Sequence, residues 1–170
     1  MTKILGIETS CDETAASVVV DGLQILSNKV HTQIAIHATY GGVVPELASR
    51  SHTERILPVI QMALEESGCA LQEMDAIAVT CKPGLIGSLL VGVTAAKAIA
   101  YSLNKPLIGV HHIEAHLYAN AFEHGDLKFP CIGLAGSGGH TSLYLGHSPI
   151  NWEVIGQTID DAVGEAFDKV

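Results

Sequence analysis

Short apolar strands alternate with helical segments along most of the chain, and this pattern limits the folds that are open to it. The first three strands are predicted at 3–8, 16–20 and 23–30, with Asp21-Gly22 as a tight hairpin turn. Two more strands, at 75–80 and 106–110, each lie between helices. The order βββαβαβα predicts an α/β domain with a mixed sheet covered by helices.

Three helices are predicted between and after these strands, at 45–67, 86–103 and 112–122. Proline at the first position of a helix is favourable, so Pro45 indicates where the first one begins. Its apolar side is predicted to contain Leu57, Ile60, Ala63 and Leu64. Pro58 is expected to kink this helix or split it in two.

A second unit is predicted after a polar link at 124–126, giving domains at 1–128 and 129–170. Its strands are expected at 131–135, 141–145 and 152–156, and a helix begins at Asp160. GIETS (6–10) matches GLAGS (133–137), and each is followed by a polar turn and another strand. The repeat favours a duplicated hairpin domain, the layout of actin-like ATPases (the ASKHA group, ribonuclease H-like), with the second copy only begun.

Composition narrows the class of protein further. Hydrophobic residues make up 48% and charged residues 16%, which favours an ordered globular fold. Neither a secretion signal nor an apolar run of about 20 residues is seen, so no membrane association and a cytoplasmic location are expected. The four cysteines have no CxxC spacing, which argues against a disulfide scaffold or a cysteine zinc site. With net charge −9 and no basic patch, this chain alone is expected to bind nucleic acid poorly.

A glycine-rich segment, Ser137-Gly138-Gly139-His140-Thr141, is the first candidate binding element. Adjacent glycines let backbone N–H groups approach an anion closely. An ordinary hairpin turn has the same composition.

The loop 9–14 is the second candidate, because Asp12 and Glu13 stand side by side among hydroxyl residues. These carboxylates could act on a metal, a ribose or a proton, although a solvated turn is the simpler interpretation. Cys11 is a weak candidate nucleophile, since no base is visible near it.

The third candidate is HHIEAH (111–116), directly after a predicted strand. On a helix His112 and His116 share one face and would suit half of a zinc or iron site, although histidines more often have a structural role. Glu114 would point about 200° away from both histidines, so it cannot act as the base of a metalloprotease.

Acidic residues also open the last predicted helix, in DDAVGEAFDK (160–169). Asp160 and Asp161 are suited to capping, whereas Asp168 lies further in and could reach a ribose.

Six ordered motifs together resemble the TsaD family (Gcp or YgjD in older usage) along essentially the whole chain. They are GIETSCDET (6–14), YGGVVPELASR (40–50), PGLIGSLLVG (83–92), HHIEAH (111–116), SGGHT (137–141) and DDAVGEAFDK (160–169). Family members run to about twice this length and mostly have glycine at the position of Lys82 and an aliphatic residue at that of Gly136.

The resemblance implies an acyltransferase that moves threonylcarbamoyl from threonylcarbamoyl-AMP to N6 of adenosine 37 in tRNAs reading ANN codons. It implies that His112 and His116 bind one divalent metal, iron or zinc, with an aspartate outside this chain as third ligand. It gives Asp12 and Glu13 a catalytic role. It places the remaining candidates around the nucleotide: Ala135, Gly136, Ser137, Gly138, Gly139, His140 and Asp168.

The resemblance also implies partners: ATP, ADP or AMP, tRNA bound through the full-length protein, and TsaB-like and TsaE-like proteins. The chain would be an N-terminal half that is inactive alone. Strands of the second unit that lack their covering helices would expose apolar surface, and either a homodimer or disorder beyond about residue 129 is expected to follow. A non-catalytic TsaB-like scaffold is the alternative, but that class lacks the HHIEAH histidines.

Overall fold

The computed structural model describes residues 1–136 and 141–168. Its strands are β1 Lys3–Glu8, β2 Glu13–Val20, β3 Gln24–Thr32, β4 Ala76–Lys82, β5 Leu107–His111, β6 Cys131–Gly136, β7 Thr141–Ser148 and β8 Asn151–Gln157. Its helices are α1 Ile34–Ala38, α2 Pro45–Ser67, α3 Ile86–Leu103, α4 His112–Tyr118, α5 Asn120–His124 and α6 Val163–Asp168. By packing, the chain divides into two units, Met1–His112 and Ile113–Val170.

The first unit contains a five-stranded mixed sheet in the order β3-β2-β1-β4-β5. The strands β1, β2 and β3 are antiparallel neighbours, whereas β4 runs parallel to both β1 and β5. The predicted hairpin turn is present: Asp21 and Gly22 have φ of 49° and 82°, as a tight turn between twisted strands requires. The predicted mixed sheet is therefore confirmed.

One face of this sheet is covered by α2 and α3, and the core lies between them. Leu5, Val18 and Ile77 from the sheet are fully buried there, together with Val59 and Ala96 from the two helices. Small residues on α3 allow this helix to pack closely against the loop that follows β1. A Cβ on Gly92 would lie 2.3 Å from Thr9 Oγ1, so only glycine allows this contact between α3 and the loop after β1.

The helix α2 differs from its prediction in two ways. Of the two outcomes expected at Pro58, a kink or a split, the split is wrong, because the helix continues past this residue. Its buried stripe contains Ala48, His52, Ile56 and Ile60, whereas Leu57 is 66% exposed. A histidine thus occupies a core position of this helix.

The predicted helix 112–122 is two short helices, α4 and α5, which meet at Ala119. Helix α1, which follows β3, was not predicted, because its five residues are too few to show a helical period.

The second unit contains an antiparallel sheet in the order β6-β7-β8, followed by α6. Like β1, β2 and β3, these strands follow one another along the chain as antiparallel neighbours, which fits the predicted duplication. Trp152 packs against Gly146, where a Cβ would come within 2.6 Å of the indole, and against the Phe129 ring. Ile132 and Leu134 on β6 are 59% and 69% exposed.

The predicted boundary at 128/129 falls between the two sheets, while the division by packing falls within α4. Both place the five strands β1 to β5 in the first unit, and the exact domain limits stay a prediction.

Among the described residues, α3 alone is long and apolar enough to cross a membrane by length and composition. Length and composition alone do not identify a membrane-spanning helix, because core helices of globular proteins meet the same criteria. In this structure Ser88, Gly92, Ala96 and Ala100 of α3 are buried.

Candidate functional site

The acidic loop, residues 9–13, runs from the end of β1 to the first residue of β2 and is held by three separate parts of the first unit. Three consecutive carbonyls each accept a hydrogen bond: Ser10 O from Leu85 N at 2.7 Å, Cys11 O from His52 Nε2 at 3.0 Å, and Asp12 O from Gln33 N at 3.0 Å. With its backbone fixed in this way, the loop leaves Glu13 exposed and Asp12 partly exposed.

Thr9, at the start of the loop, is fully buried and joins it to α3. Its hydroxyl donates to Ser88 O at 2.8 Å. The motif PGLIGSLLVG (83–92) supplies this contact surface, because a Cβ on Gly84 or Gly92 would come within 2.5 Å of the loop. A Cβ on Gly87 would lie 2.4 Å from Ser49 Oγ on α2, so this glycine allows the two helices to pack closely. The structure thus gives this motif a packing role beside the loop.

A buried polar layer lies beneath the loop and was missed by sequence reasoning. His52 Nε2 donates to Cys11 O, so its Nδ1 accepts from the Thr14 hydroxyl, 2.8 Å away. Gln33 Oε1 accepts from His37 Nε2 at 3.1 Å, and His37 Nδ1 accepts from Val44 N at 3.3 Å. The sequence feature that could have predicted this layer is a histidine, His52, on the apolar side of α2.

The thiol of Cys11 is poorly suited to be a nucleophile. Partial burial and the negative charge of Asp12 raise its pKa to about 11. Because the thiolate is the reactive form, the thiol at this position is inert near neutral pH.

His112, the first residue of α4, adjoins this loop. Its Nδ1 lies 3.1 Å from Ser10 Oγ and 3.1 Å from Glu8 Oε2. The first unit therefore brings together the acidic loop and one of the two predicted metal ligands, which are about 100 residues apart in the sequence.

Glu8, the last residue of β1, was also missed by sequence reasoning. Its carboxylate accepts hydrogen bonds from Ser10 N and from Thr80 Oγ1, the latter at 2.5 Å. Burial alone would raise the pKa of Glu8, but the hydrogen bonds from His112, Ser10 and Thr80 outweigh it and lower the pKa to about 2. A charged residue at the end of an apolar strand was the signal in the sequence.

His116 follows His112 by one turn of α4, and its side chain is exposed. Within residues 1–136 and 141–168, no group of three or more His, Cys, Asp or Glu side chains is arranged to hold a metal ion. Since α4 is helical, Glu114 lies about 200° around its axis from both histidines, as expected.

In the second unit, Ala135 and Gly136 end β6, and Gly136 pairs with Thr141 across the hairpin. The Thr141 hydroxyl accepts a hydrogen bond from Val163 N at 2.7 Å, so the base of this hairpin adjoins the start of α6. Ser137, Gly138, Gly139 and His140 lie outside the described residues. Asp168 is the last residue of α6, and the placement of its side chain is likewise outside the description.

Comparison with known proteins gives a consistent result. A family model described as TsaD, tRNA N6-adenosine threonylcarbamoyltransferase, matches residues 24–170. Proteins of that name from Syntrophomonas wolfei and Treponema denticola are each 60% identical, over 98% and 99% of this chain and 49% of their own length. The chain thus spans about half the length of the curated relatives it matches.

Among solved structures, YeaZ from Pseudomonas aeruginosa aligns with a TM-score of 0.59 at 19% identity. The match covers 93% of this chain and 66% of YeaZ. Identity this low is informative about the fold alone, and it supports the predicted actin-like ATPase fold.

Proposed function

Because this chain belongs to the TsaD family of tRNA N6-adenosine threonylcarbamoyltransferases, we propose that it forms the N-terminal half of such an enzyme. The reaction transfers threonylcarbamoyl from threonylcarbamoyl-AMP to N6 of adenosine 37 in tRNAs reading ANN codons. One observation carries the proposal for this chain: Ser10 connects the acidic loop directly to His112.

The chemistry needs positioning more than an enzymic nucleophile. The N6 amine attacks the carbamoyl carbon, the bond from that carbon to the AMP phosphate oxygen breaks, and AMP leaves with the electron pair. The amine must also lose a proton, and we assign its acceptance to the carboxylate of Asp12 or Glu13. A protonated Cys11 fits a mechanism without an acyl-thiol intermediate. A loop with a fixed backbone supports the accurate placement on which such a reaction depends.

The two histidines fit a metal ligand set in kind, since imidazoles four residues apart on a helix suit iron and zinc. His112 already has a carboxylate at Nδ1, an arrangement common for metal-binding histidines. We propose that His112 and His116 bind one such ion with an aspartate from outside residues 1–170. When bound, the ion would supply positive charge that stabilises charge developing on substrate oxygens.

For the nucleotide, we propose that residues 135–140 and Asp168 surround the adenylate. The hydrogen bond from Val163 N to Thr141 supports this, because it joins the end of that segment to the helix that carries Asp168.

We assign the binding of tRNA to the full-length protein and to TsaB-like and TsaE-like partners. We also propose that the protein is located in the cytoplasm. The acidic balance of this chain agrees with tRNA contacts lying elsewhere.

A chimera tests this proposal. Residues 1–170 replace the matching half of the Syntrophomonas wolfei relative, and modified nucleoside is measured by mass spectrometry after incubation with threonylcarbamoyl-AMP and tRNA. We expect product from the chimera and a loss of at least about 100-fold in His112→Ala and in the double variant Asp12→Asn/Glu13→Gln. His147→Ala, a change at an exposed histidine of β7, is the control. An active chimera that does not respond to the site variants would overturn the assignment.

A further inference from the structure

The carboxylate of Glu8 is surrounded by hydrogen-bond donors at the end of the sheet. Ile7 pairs with Val79 in the parallel register of β1 and β4, so Glu8 and Thr80 are neighbours at the carboxyl ends of these strands. The Thr80 hydroxyl donates to Oε2 and the Ser10 backbone N–H donates to Oε1. Each oxygen therefore has one donor that fixes the orientation of the group.

His112 adds the next contact, with its Nδ1 3.1 Å from Glu8 Oε2. An ionised carboxylate can only accept hydrogen bonds. A lone pair on Nδ1 would face another lone pair at this distance, whereas a proton on Nδ1 makes a charge-assisted hydrogen bond. The Ser10 hydroxyl, also 3.1 Å from Nδ1, can accept part of the same proton.

From this geometry we infer that Glu8 is a positioning residue, which keeps a proton on His112 Nδ1 and thereby turns Nε2 into the nitrogen that can act as a ligand. Which ring nitrogen of a histidine is protonated depends on the hydrogen bond that the other makes. The inference rests on the proposed function only in taking Nε2 as the metal-binding atom. The preference for a proton on Nδ1 follows from the contacts of that atom with Glu8 and Ser10.

Replacing Glu8 by glutamine should invert this choice. The Ser10 backbone N–H cannot turn away, so the amide oxygen must take the Oε1 position. The amide NH₂ then occupies the Oε2 position, where the Thr80 hydroxyl can rotate to accept from it. Facing a donor, His112 Nδ1 becomes an acceptor, and the ring proton moves to Nε2.

The direct test is long-range ¹H–¹⁵N correlation of the imidazole rings, on the metal-free labelled chain at pH 8. We expect the Nδ1–H form of His112 in the unmodified chain and the Nε2–H form in Glu8→Gln. The matched control is Thr80→Val, which removes a donor but keeps the carboxylate and should retain the Nδ1–H form. His52 reports on the fold in each sample, because its Nε2 donates to Cys11 O.

Two results would overturn the inference: the Nε2–H form in the unmodified chain, or the Nδ1–H form in Glu8→Gln with the His52 signal unchanged. If the His52 signal is lost in Glu8→Gln, Glu8→Asp is measured instead. Its shorter carboxylate should weaken the preference without inverting it, and an inverted ring there would also contradict the inference.

Titration with Co²⁺ separates this inference from the metal assignment. Changes to groups that orient metal-binding histidines typically weaken affinity about 10–100-fold, and we expect a loss of that size in Glu8→Gln relative to Thr80→Val. If the tautomer inverts while Co²⁺ affinity is unchanged, Glu8 still orients His112 but the proposed metal site is wrong.

Discussion

At the scale of single residues, the acidic loop contains a side chain whose chemistry is set by its neighbours. Cys11 is exposed enough for reagents to reach it, yet its pKa is raised to about 11 by partial burial and by Asp12. A reactive thiol in a catalytic loop would show the opposite shift.

We therefore predict slow alkylation of Cys11. A rise in pKa from 9.0 to about 11 lowers its thiolate fraction at pH 8 about 100-fold. The measurement is the iodoacetamide rate at pH 8, followed by peptide mass spectrometry, with exposed Cys81 as the internal reference. Equal alkylation rates at Cys11 and Cys81 would contradict the raised pKa of Cys11.

Single residues also show where sequence reasoning reached its limit. The acidic pair and the two histidines could be proposed from the sequence, because each is a local pattern of reactive side chains. Glu8 and Thr80 were missed, since they are 72 residues apart and become neighbours only through the parallel pairing of β1 with β4. Roles that depend on long-range register are not visible in a local motif.

At the scale of elements, the ends of the long helices α2 and α3 are where the sequence predicted them, because local residues mark these ends. Pro45 begins α2 and Gly68 ends it in the left-handed conformation, while Asn104 ends α3 in the same way. The break between α4 and α5 was missed because no proline or glycine marks Ala119. Leu57 was assigned to the wrong side of α2, since the buried stripe passes instead through the polar residue His52.

The buried position of His52 makes the stability of the first unit depend on pH. Burial lowers the pKa of His52 from 6.5, although the hydrogen bond to Cys11 O and the charges of Glu8 and Asp12 oppose this. Because the unfolded chain binds the proton more readily, the stabilisation is complete above about pH 6.5 and is lost as the pH falls below it.

We predict that His52→Gln removes this part of the pH dependence of the free energy of unfolding, measured by urea titration from pH 5 to 8. Glutamine keeps a donor for Cys11 O but does not titrate. His52→Leu should instead lose about 1–3 kcal/mol for each group left without a partner, Cys11 O and the Thr14 hydroxyl. Leu57→Ala, on the exposed side of α2, is the control. An identical pH slope in His52→Gln and the unmodified chain would refute the prediction.

At the scale of the whole chain, the second unit presents apolar side chains to solvent. Ile132, Leu134 and Leu143 are 59%, 69% and 37% exposed, and Leu134 pairs directly with Leu143 between β6 and β7. Exposed apolar surface of this kind promotes association.

We predict that the chain alone self-associates through these strands and that Leu134→Asp shifts it toward monomer in sedimentation velocity. Ile150→Asp, at an exposed turn outside the sheet, should leave association unchanged. A chain that stays monomeric at every concentration would rule out this surface as an interface.

The three backbone anchors of the acidic loop have a consequence for how activity can be lost. Its shape is dictated by Leu85, His52 and Gln33, which come from regions far apart in the sequence. A short peptide lacks these three hydrogen-bond donors and would not keep that shape. Loss of any one of the three hydrogen bonds would allow the loop backbone to adopt other conformations. If the loop has the proposed function, substitutions in any of these three regions should lower activity while most of the secondary structure is retained.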